Sequence, residues 1–222
     1  MNLVISFFRK LGPEILSCTY EHIYLVFFAM VMATVLALSV GIYLTRCRWP
    51  KLVSVIMGIA GSIQTIPSLA LIAFIVVIFA FMGLPTIGTV PALVALVLYA
   101  LLPILRNTYT GIRQVDASII EVATGMGMKP YQILLSVELP LSLPVIMAGI
   151  RISTVWTIGV ATLCALIGAG GLGDLIIKGL RSIRLDYLSA GTLPAAALAL
   201  VLDWILGLIE KWLTPEGLRV GT

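Results

Sequence analysis

Apolar residues come in long unbroken runs along this chain, not in the alternation of a half-buried strand. Residues 23–45, 52–82 and 91–105 carry no charge at all. Residues 144–167 are interrupted only by Arg151, and residues 191–213 carry Asp203 and Glu210 with Lys211 and Trp212 at their end. A helix needs about 20 residues to cross the hydrocarbon core of a bilayer. The runs therefore predict an all-α membrane protein with about five transmembrane helices. The second run is too long for one upright helix and holds Pro67. It reads as one tilted, kinked span or as a span plus a re-entrant piece, and six spans follow if it splits. In this division residues 1–22 are an N-terminal segment, 23–213 the transmembrane domain with a polar connecting loop at 106–143, and 214–222 a tail.

Lysine and arginine placement orients the spans. Arg46, Arg48 and Lys51 lie between spans one and two; Arg106, Arg113 and Lys129 lie between three and four; Lys211 and Arg219 close the chain. All three groups share a side only if the number of spans is odd, and that side is expected to be the cytoplasm. The N-terminus is then outside and the C-terminus inside. Lys178, Arg181 and Arg184 fall outside, against the rule, partly offset by Asp174 and Asp186. Trp49 and Trp212 suit an interfacial belt. The first apolar run follows Glu14 and Glu21, a poor match to a cleaved signal peptide, so it reads as a retained span.

The connecting loop is more structured than a plain linker. Asp116 is placed to cap a helix, because its carboxylate can accept from free backbone N–H groups of the next turn. Residues 117–124 then read as helix, with Ile119, Ile120 and Ala123 near one side. Gly125 and Gly127 end it. Pro130 suits the first position of a second helix, with Tyr131, Leu134 and Leu135 as its apolar stripe. Pro140 stops that helix and Pro144 starts the next span. A short helix of this kind either docks on a protein or lies on the membrane surface.

Composition narrows the function classes. The chain of 222 residues is 60% hydrophobic and 11% charged, against about 25% charged in soluble domains, and its mean hydropathy is +1.14. Lipid is the expected solvent. The net charge of +4 reflects loop residues that set topology, with no basic run that points to nucleic acid. Cys18, Cys47 and Cys164 are scattered and read as small apolar fillers. His22, beside Tyr20 and Tyr24, reads as an interfacial polar residue. Gly168 to Gly173 fits a GxGxxG pattern, but no strand precedes it; it reads as a glycine-lined turn at the external mouth. The sequence holds no P-loop, no nucleophile–base pair and no metal spacing, so no catalytic residue, metal ligand or bound cofactor is expected in this chain.

Glu121, Ala123, Gly127, Leu139 and Pro140 stand in the register Glu-Ala-Ala, three residues, Gly, nine residues, Ile-x-Leu-Pro. Val122 and Val137 depart conservatively from it. This register resembles the EAA loop of ABC-importer permeases, and the resemblance extends from about Tyr20 to Leu213. Residues 101–112, 123–128 and 168–176 are similar to the osmoprotectant subgroup, which moves glycine betaine, carnitine, choline and related quaternary ammonium compounds.

The resemblance implies a type-1 ABC-importer permease core in the cell membrane, with residues 106–143 as a cytoplasmic coupling loop. Its partners would be an ATP-binding subunit, two copies per complex, that holds ATP and Mg; a second permease, identical or paralogous; and an extracytoplasmic substrate-binding protein. Glu121, Ala123, Gly125, Gly127, Leu139 and Pro140 would couple to the ATPase, and a side chain at Gly127 would block the turn. A quaternary ammonium is best held by aromatic faces, so Tyr99, Tyr109 and Trp156 are pathway candidates, with Gln64, Thr65, Thr157 and Thr162 as polar lining. Separately, Arg151 and Asp203 lie inside neighbouring spans, where ions are costly; they either pair with each other, or each snorkels or pairs elsewhere. Alternative functions are a permease for another small solute such as an amino acid, an ion-coupled secondary transporter, or a membrane scaffold.

Overall fold

The computed structural model describes residues 2–214, and all regular structure among them is helical. The first half holds α1 (Asn2–Arg46), α2 (Pro50–Thr65), α3 (Ser68–Phe81) and α4 (Thr89–Arg113). Two short helices follow, α5 (Ala117–Gly125) and α6 (Pro130–Ile133), and then a π-helical turn, Leu134–Glu138. The chain closes with α7 (Leu139–Cys164), α8 (Leu172–Ser182) and α9 (Leu185–Leu213). The tail expected over 214–222, with Arg219, lies outside the described residues from Pro215 on.

Four stretches are long and apolar enough to cross a membrane: Leu11–Arg46, Thr89–Arg113, Pro130–Ile167 and Leu185–Leu213. The fifth candidate is the pair α2 and α3, bent by 107° at its break. Residues 52–82 are therefore a sharply bent helix pair, either a broken span or a re-entrant piece, rather than one gently kinked helix. Pro67 sits at the break and lacks the N–H that would continue α2. The break is pinned from α4: the Tyr99 hydroxyl donates to the Ile66 carbonyl at 2.7 Å, and the Gln64 amide donates to the Tyr99 carbonyl at 3.2 Å.

Helix ends depart from the sequence reading where polar residues continue a helix instead of ending it. The helix that carries the first apolar run starts well before residue 23, within α1. The third span continues to Arg113, so the loop starts later than residue 106. The largest departure is at Pro140, which does not stop a helix. Residues 130–164 run on without a break in helical character, through the π turn. There the Leu139 N–H donates to the Leu134 carbonyl, a wider i→i+5 step. This wider turn lies just ahead of Pro140 and takes up the local unwinding that a proline inside a helix demands.

The core lies where α1, α4 and α7 meet. Ala29, Ala33 and Ala37 are fully buried on one stripe of α1, which continues to Gly41. Small residues at this spacing let helix backbones approach closely in lipid. A methyl group added at Gly41 would meet the Thr108 side chain of α4 at 2.8 Å, and one at Gly149 of α7 would meet the Pro103 carbonyl at 2.8 Å. His22 belongs to this core and not to the membrane interface: it is fully buried, with Nε2 3.2 Å from the Ile158 carbonyl of α7. Its apolar neighbours Leu25 and Val26 place that side of α1 inside the bundle. Cys18 and Cys164 are buried free thiols.

Candidate coupling loop

Two caps and one glycine build the loop between α4 and α7. Asp116 Oδ1 accepts from the Ser118 N–H at 2.9 Å and starts α5. That bond holds the Asp116 carboxyl below its ordinary range. At the other end Gly127 N–H donates to the Thr124 carbonyl at 2.9 Å and Met128 N–H to the Ala123 carbonyl at 3.2 Å. This 5→2 plus 6→1 pair is a Schellman motif, with Gly127 in the left-handed position at φ 83°. Gly125 is still helical. A Cβ at Gly127 would meet nothing within 4 Å. The demand for glycine there comes from backbone conformation, not from a steric block. Pro130 then opens α6, and the Lys129 N–H donates to Gln132 Oε1 at 2.7 Å.

The apolar faces differ from those expected. On α5 only Ala123 is buried, while Ile119, Val122 and Met126 are exposed, the last at 77%. On α6 the packed side chain is Ile133; Tyr131 and Leu135 are exposed at 59% and 60%. The stripes read from the sequence are thus partly an outward face. Glu121 is exposed beside Val122. Leu139 and Pro140 lie in the first turn of α7, half-buried or buried less than the core. The loop therefore exposes apolar side chains on α5 and around α6, with the Glu121 carboxylate beside Val122, just ahead of the continuous helix 130–164.

Two ionic arrangements tie this end of the bundle together. Arg46, in the last turn of α1, pairs with Glu138, whose side chain is 3% exposed. Sequence reasoning missed Glu138; its one signal was an acid placed just before the Leu-Pro step. Arg151 and Asp203 do pair, in a two-pronged contact: Nε to Oδ1 at 2.8 Å and Nη2 to Oδ2 at 3.0 Å. Arg151 Nη1 also donates to Glu210 at 3.0 Å. Glu210 lies two turns below Asp203 on the same face of α9, a third member that the sequence reading passed over.

The seven pathway candidates do not gather around one cavity. Gln64 and Tyr99 are spent on the α2–α3 break, and Tyr99 is buried. Thr65 donates to the Ser62 carbonyl and Thr162 to the Gly159 carbonyl, each within its own helix. Thr157 is buried and points its hydroxyl at Met30 Sδ, 3.5 Å away. Tyr109 lines a cavity of about 330 Å³ with Arg106 and Met57. Trp156 lines another, of about 350 Å³, with Arg151 and Asp203. At the opposite end of the bundle Gly168, Gly170 and Gly171 all have positive φ. The Gly88 N–H donates to the Ile167 carbonyl at 2.7 Å, joining the start of α4 to this glycine turn. Glu21 of α1 accepts from the Gly171 N–H at 2.9 Å.

Comparison with known proteins agrees with this architecture. The chain is 45% identical over 219 residues to the carnitine transport permease protein OpuCB of Listeria monocytogenes, covering 99% of this chain and 97% of that one. It is 46% identical, with the same coverage, to the choline transport system permease protein OpuBB of Bacillus subtilis. The glycine betaine/carnitine/choline transport system permease protein OpuCB of Bacillus subtilis is 42% identical over 219 residues, again with 99% and 97% covered. Among solved structures, the inward-facing methionine ABC transporter MetNI is similar with a TM-score of 0.78 over 88% of this chain and 94% of that one, at 22% identity. An amino acid ABC transporter is similar with a TM-score of 0.77 over 91% and 95%, at 17% identity; both likenesses concern the fold. The profile of the binding-protein-dependent transport system inner membrane component family matches residues 33–215, and this chain is a member of that family of multi-pass membrane permease subunits.

Proposed function

We propose that this chain is the permease subunit of an ATP-driven importer of quaternary ammonium compatible solutes of the glycine betaine, carnitine and choline type. The observation that carries the reading is full-length identity of 42–46% to permeases named for those solutes. The chain itself is not an enzyme; ATP and Mg act on a separate subunit, two copies per complex. A second permease, identical or paralogous, completes the channel, and an extracytoplasmic binding protein delivers solute. The N-terminus lies outside and the coupling loop in the cytoplasm.

In this reading Glu121, Ala123, Gly125 and Gly127 shape the part of the loop that seats in the ATPase, with Val122 and Met126 as its exposed apolar contacts. Leu139 and Pro140 belong to the stem. Because α6, the π turn and α7 are continuous, ATPase closure moves α7 as a lever instead of being lost in a slack loop. Arg46–Glu138 passes the same motion to α1, and Arg151 with Asp203 and Glu210 passes it to α9. Tyr109 and Trp156 remain pathway candidates; Gln64, Tyr99 and Thr157 act by holding helices in register, while Thr65 and Thr162 bond within their own helices.

The test is reconstitution with the cognate ATPase and binding protein. Uptake of labelled choline, glycine betaine or carnitine that requires ATP supports the reading. Uptake driven by an ion gradient without ATP, or transport confined to amino acids, would replace it.

A further inference from the structure

At the end of the bundle opposite the coupling loop, a cavity of about 460 Å³ opens between α1 and the glycine turn. This falls within the range of about 300–1,000 Å³ usual for small-molecule sites. Tyr20, Glu21 and Tyr24 line it from α1, Thr89 from α4, and Gly168 and Gly170 from the turn. Tyr20 and Tyr24 are one helical turn apart, on the same face, and are 73% and 46% exposed. Both side chains are open, unlike that of Tyr99, and the Tyr24 ring also packs on the Phe28 ring with centroids 4.5 Å apart. Glu21 is exposed on the same rim and uses Oε2 to hold the Gly171 N–H.

Among the described residues, Glu14, Glu21 and Asp174 gather on this side of the molecule, around Cys18. Asp174 of α8 lies near enough to Glu21 that burial and the neighbouring carboxylate both raise its carboxyl. Lys178, the nearby cation, is occupied by Glu14 at 2.6 Å. Glycine is needed at the opposite wall: a methyl group on Gly170 would run into the Glu21 carboxylate, and its φ of 78° already disfavours a side chain. Among the described residues, the cavity lining offers two tyrosine side chains and a carboxylate but no lysine or arginine. That combination suits one ligand chemistry. A trimethylammonium group cannot donate a hydrogen bond, but it is attracted to ring faces and to negative charge.

We propose that the Tyr20–Glu21–Tyr24 cavity is a receiving site for trimethylammonium cations at the outer mouth of the permease. The proposal rests on the quaternary ammonium reading above and places the first solute contact on α1 rather than in the bundle interior. The cation has two sources, free solute and a choline lipid headgroup.

The experiment uses the whole importer in nanodiscs of phosphatidylethanolamine and phosphatidylglycerol, without binding protein or ATP, titrated with labelled choline. The wild type is expected to bind. Tyr20→Ala with Tyr24→Ala weakens binding by about tenfold, as expected for two partly exposed cation–ring contacts. The paired Phe variants, which keep both rings, retain it. Glu21→Gln keeps an acceptor for the Gly171 N–H but removes the charge, and weakens binding several-fold. The neutral choline isostere 3,3-dimethylbutanol competes at least tenfold less well than choline. Loss of labelled choline when phosphatidylcholine replaces phosphatidylethanolamine assigns the site to lipid as well; unchanged binding assigns it to free solute. No binding by the wild type, equal binding by the alanine pair, or equal competition by the neutral isostere overturns the proposal. ATP-driven choline uptake by the same preparation supplemented with binding protein separates the two failures. Uptake with no effect of the alanine pair rejects the cavity alone, whereas absence of uptake for every quaternary ammonium rejects the functional reading.

Discussion

Arg46 at the end of α1 is ion-paired with Glu138 in the π turn, and the two differ sharply in exposure: 47% for the arginine side chain and 3% for the carboxylate. The asymmetry sets a direction. Arg46→Ala leaves a buried carboxylate without its partner and is expected to cost about 1–3 kcal/mol. Glu138→Gln leaves an arginine that can turn to water and should cost less. Thermal unfolding of the detergent-purified variants measures this; equal losses would contradict the asymmetry, and melting temperatures unchanged from wild type in both would mean that the pair does not hold α1 to the stem.

Gly127 makes a prediction separable from crowding. Its φ of 83° penalises any Cβ, by about 1–2 kcal/mol, although space for one is free. Gly127→Ala and Gly127→Asn should therefore differ in the order of left-handed tolerance, with Asn closer to wild type. Were bulk the cause, the smaller Ala would be the milder change. ATP-driven uptake normalised to the amount of inserted permease distinguishes the two.

The three-residue cluster on α7 and α9 predicts an incomplete charge-swap rescue. Arg151→Asp combined with Asp203→Arg restores the main pair but sets the new carboxylate at position 151 against Glu210. The double swap should recover insertion above either single variant, and adding Glu210→Gln should raise it further. Identical insertion of the double and triple variants would remove Glu210 from the cluster.

Close helix packing predicts that Gly149 tolerates little. A Cβ there lies 2.8 Å from both the Pro103 carbonyl and the Asn107 side chain. Gly149→Val is expected to destabilise by about 1–3 kcal/mol, the usual cost of overpacking. Gly159, with nothing within 4 Å, is the control position; comparable melting-temperature losses at both sites would contradict the packing.

Much of the fold was legible because bilayer solvation imposes long apolar runs, and the loop between α4 and α7 was legible because caps and glycine turns are local. Asp116, Gly127 and Pro130 act through atoms within a few residues, so their spacing suffices. What the sequence hid was non-local. Pro140 reads locally as a stop, yet a π turn and packing on α4 carry the helix through it. His22 reads as interfacial until α7 covers it. Residue type alone points to the seven pathway candidates, but whether a ring is accessible depends on neighbours: Tyr99 is buried beside the α2–α3 break, while Tyr20 is open and Tyr24 half-exposed against Phe28.

The central claim is that the loop at Gly127 couples this permease to an ATPase that drives quaternary ammonium uptake. The most direct measurement is ATP-driven uptake of labelled choline and glycine betaine by the reconstituted importer, comparing wild type with Gly127→Asp at matched insertion. That substitution adds a negative charge beside the exposed Met126 as well as a Cβ at the left-handed position. The account predicts ATP-dependent uptake in the wild type and its loss in Gly127→Asp, with ATPase subunits detached or hydrolysing without transport. Undiminished ATP-driven uptake by Gly127→Asp would contradict it.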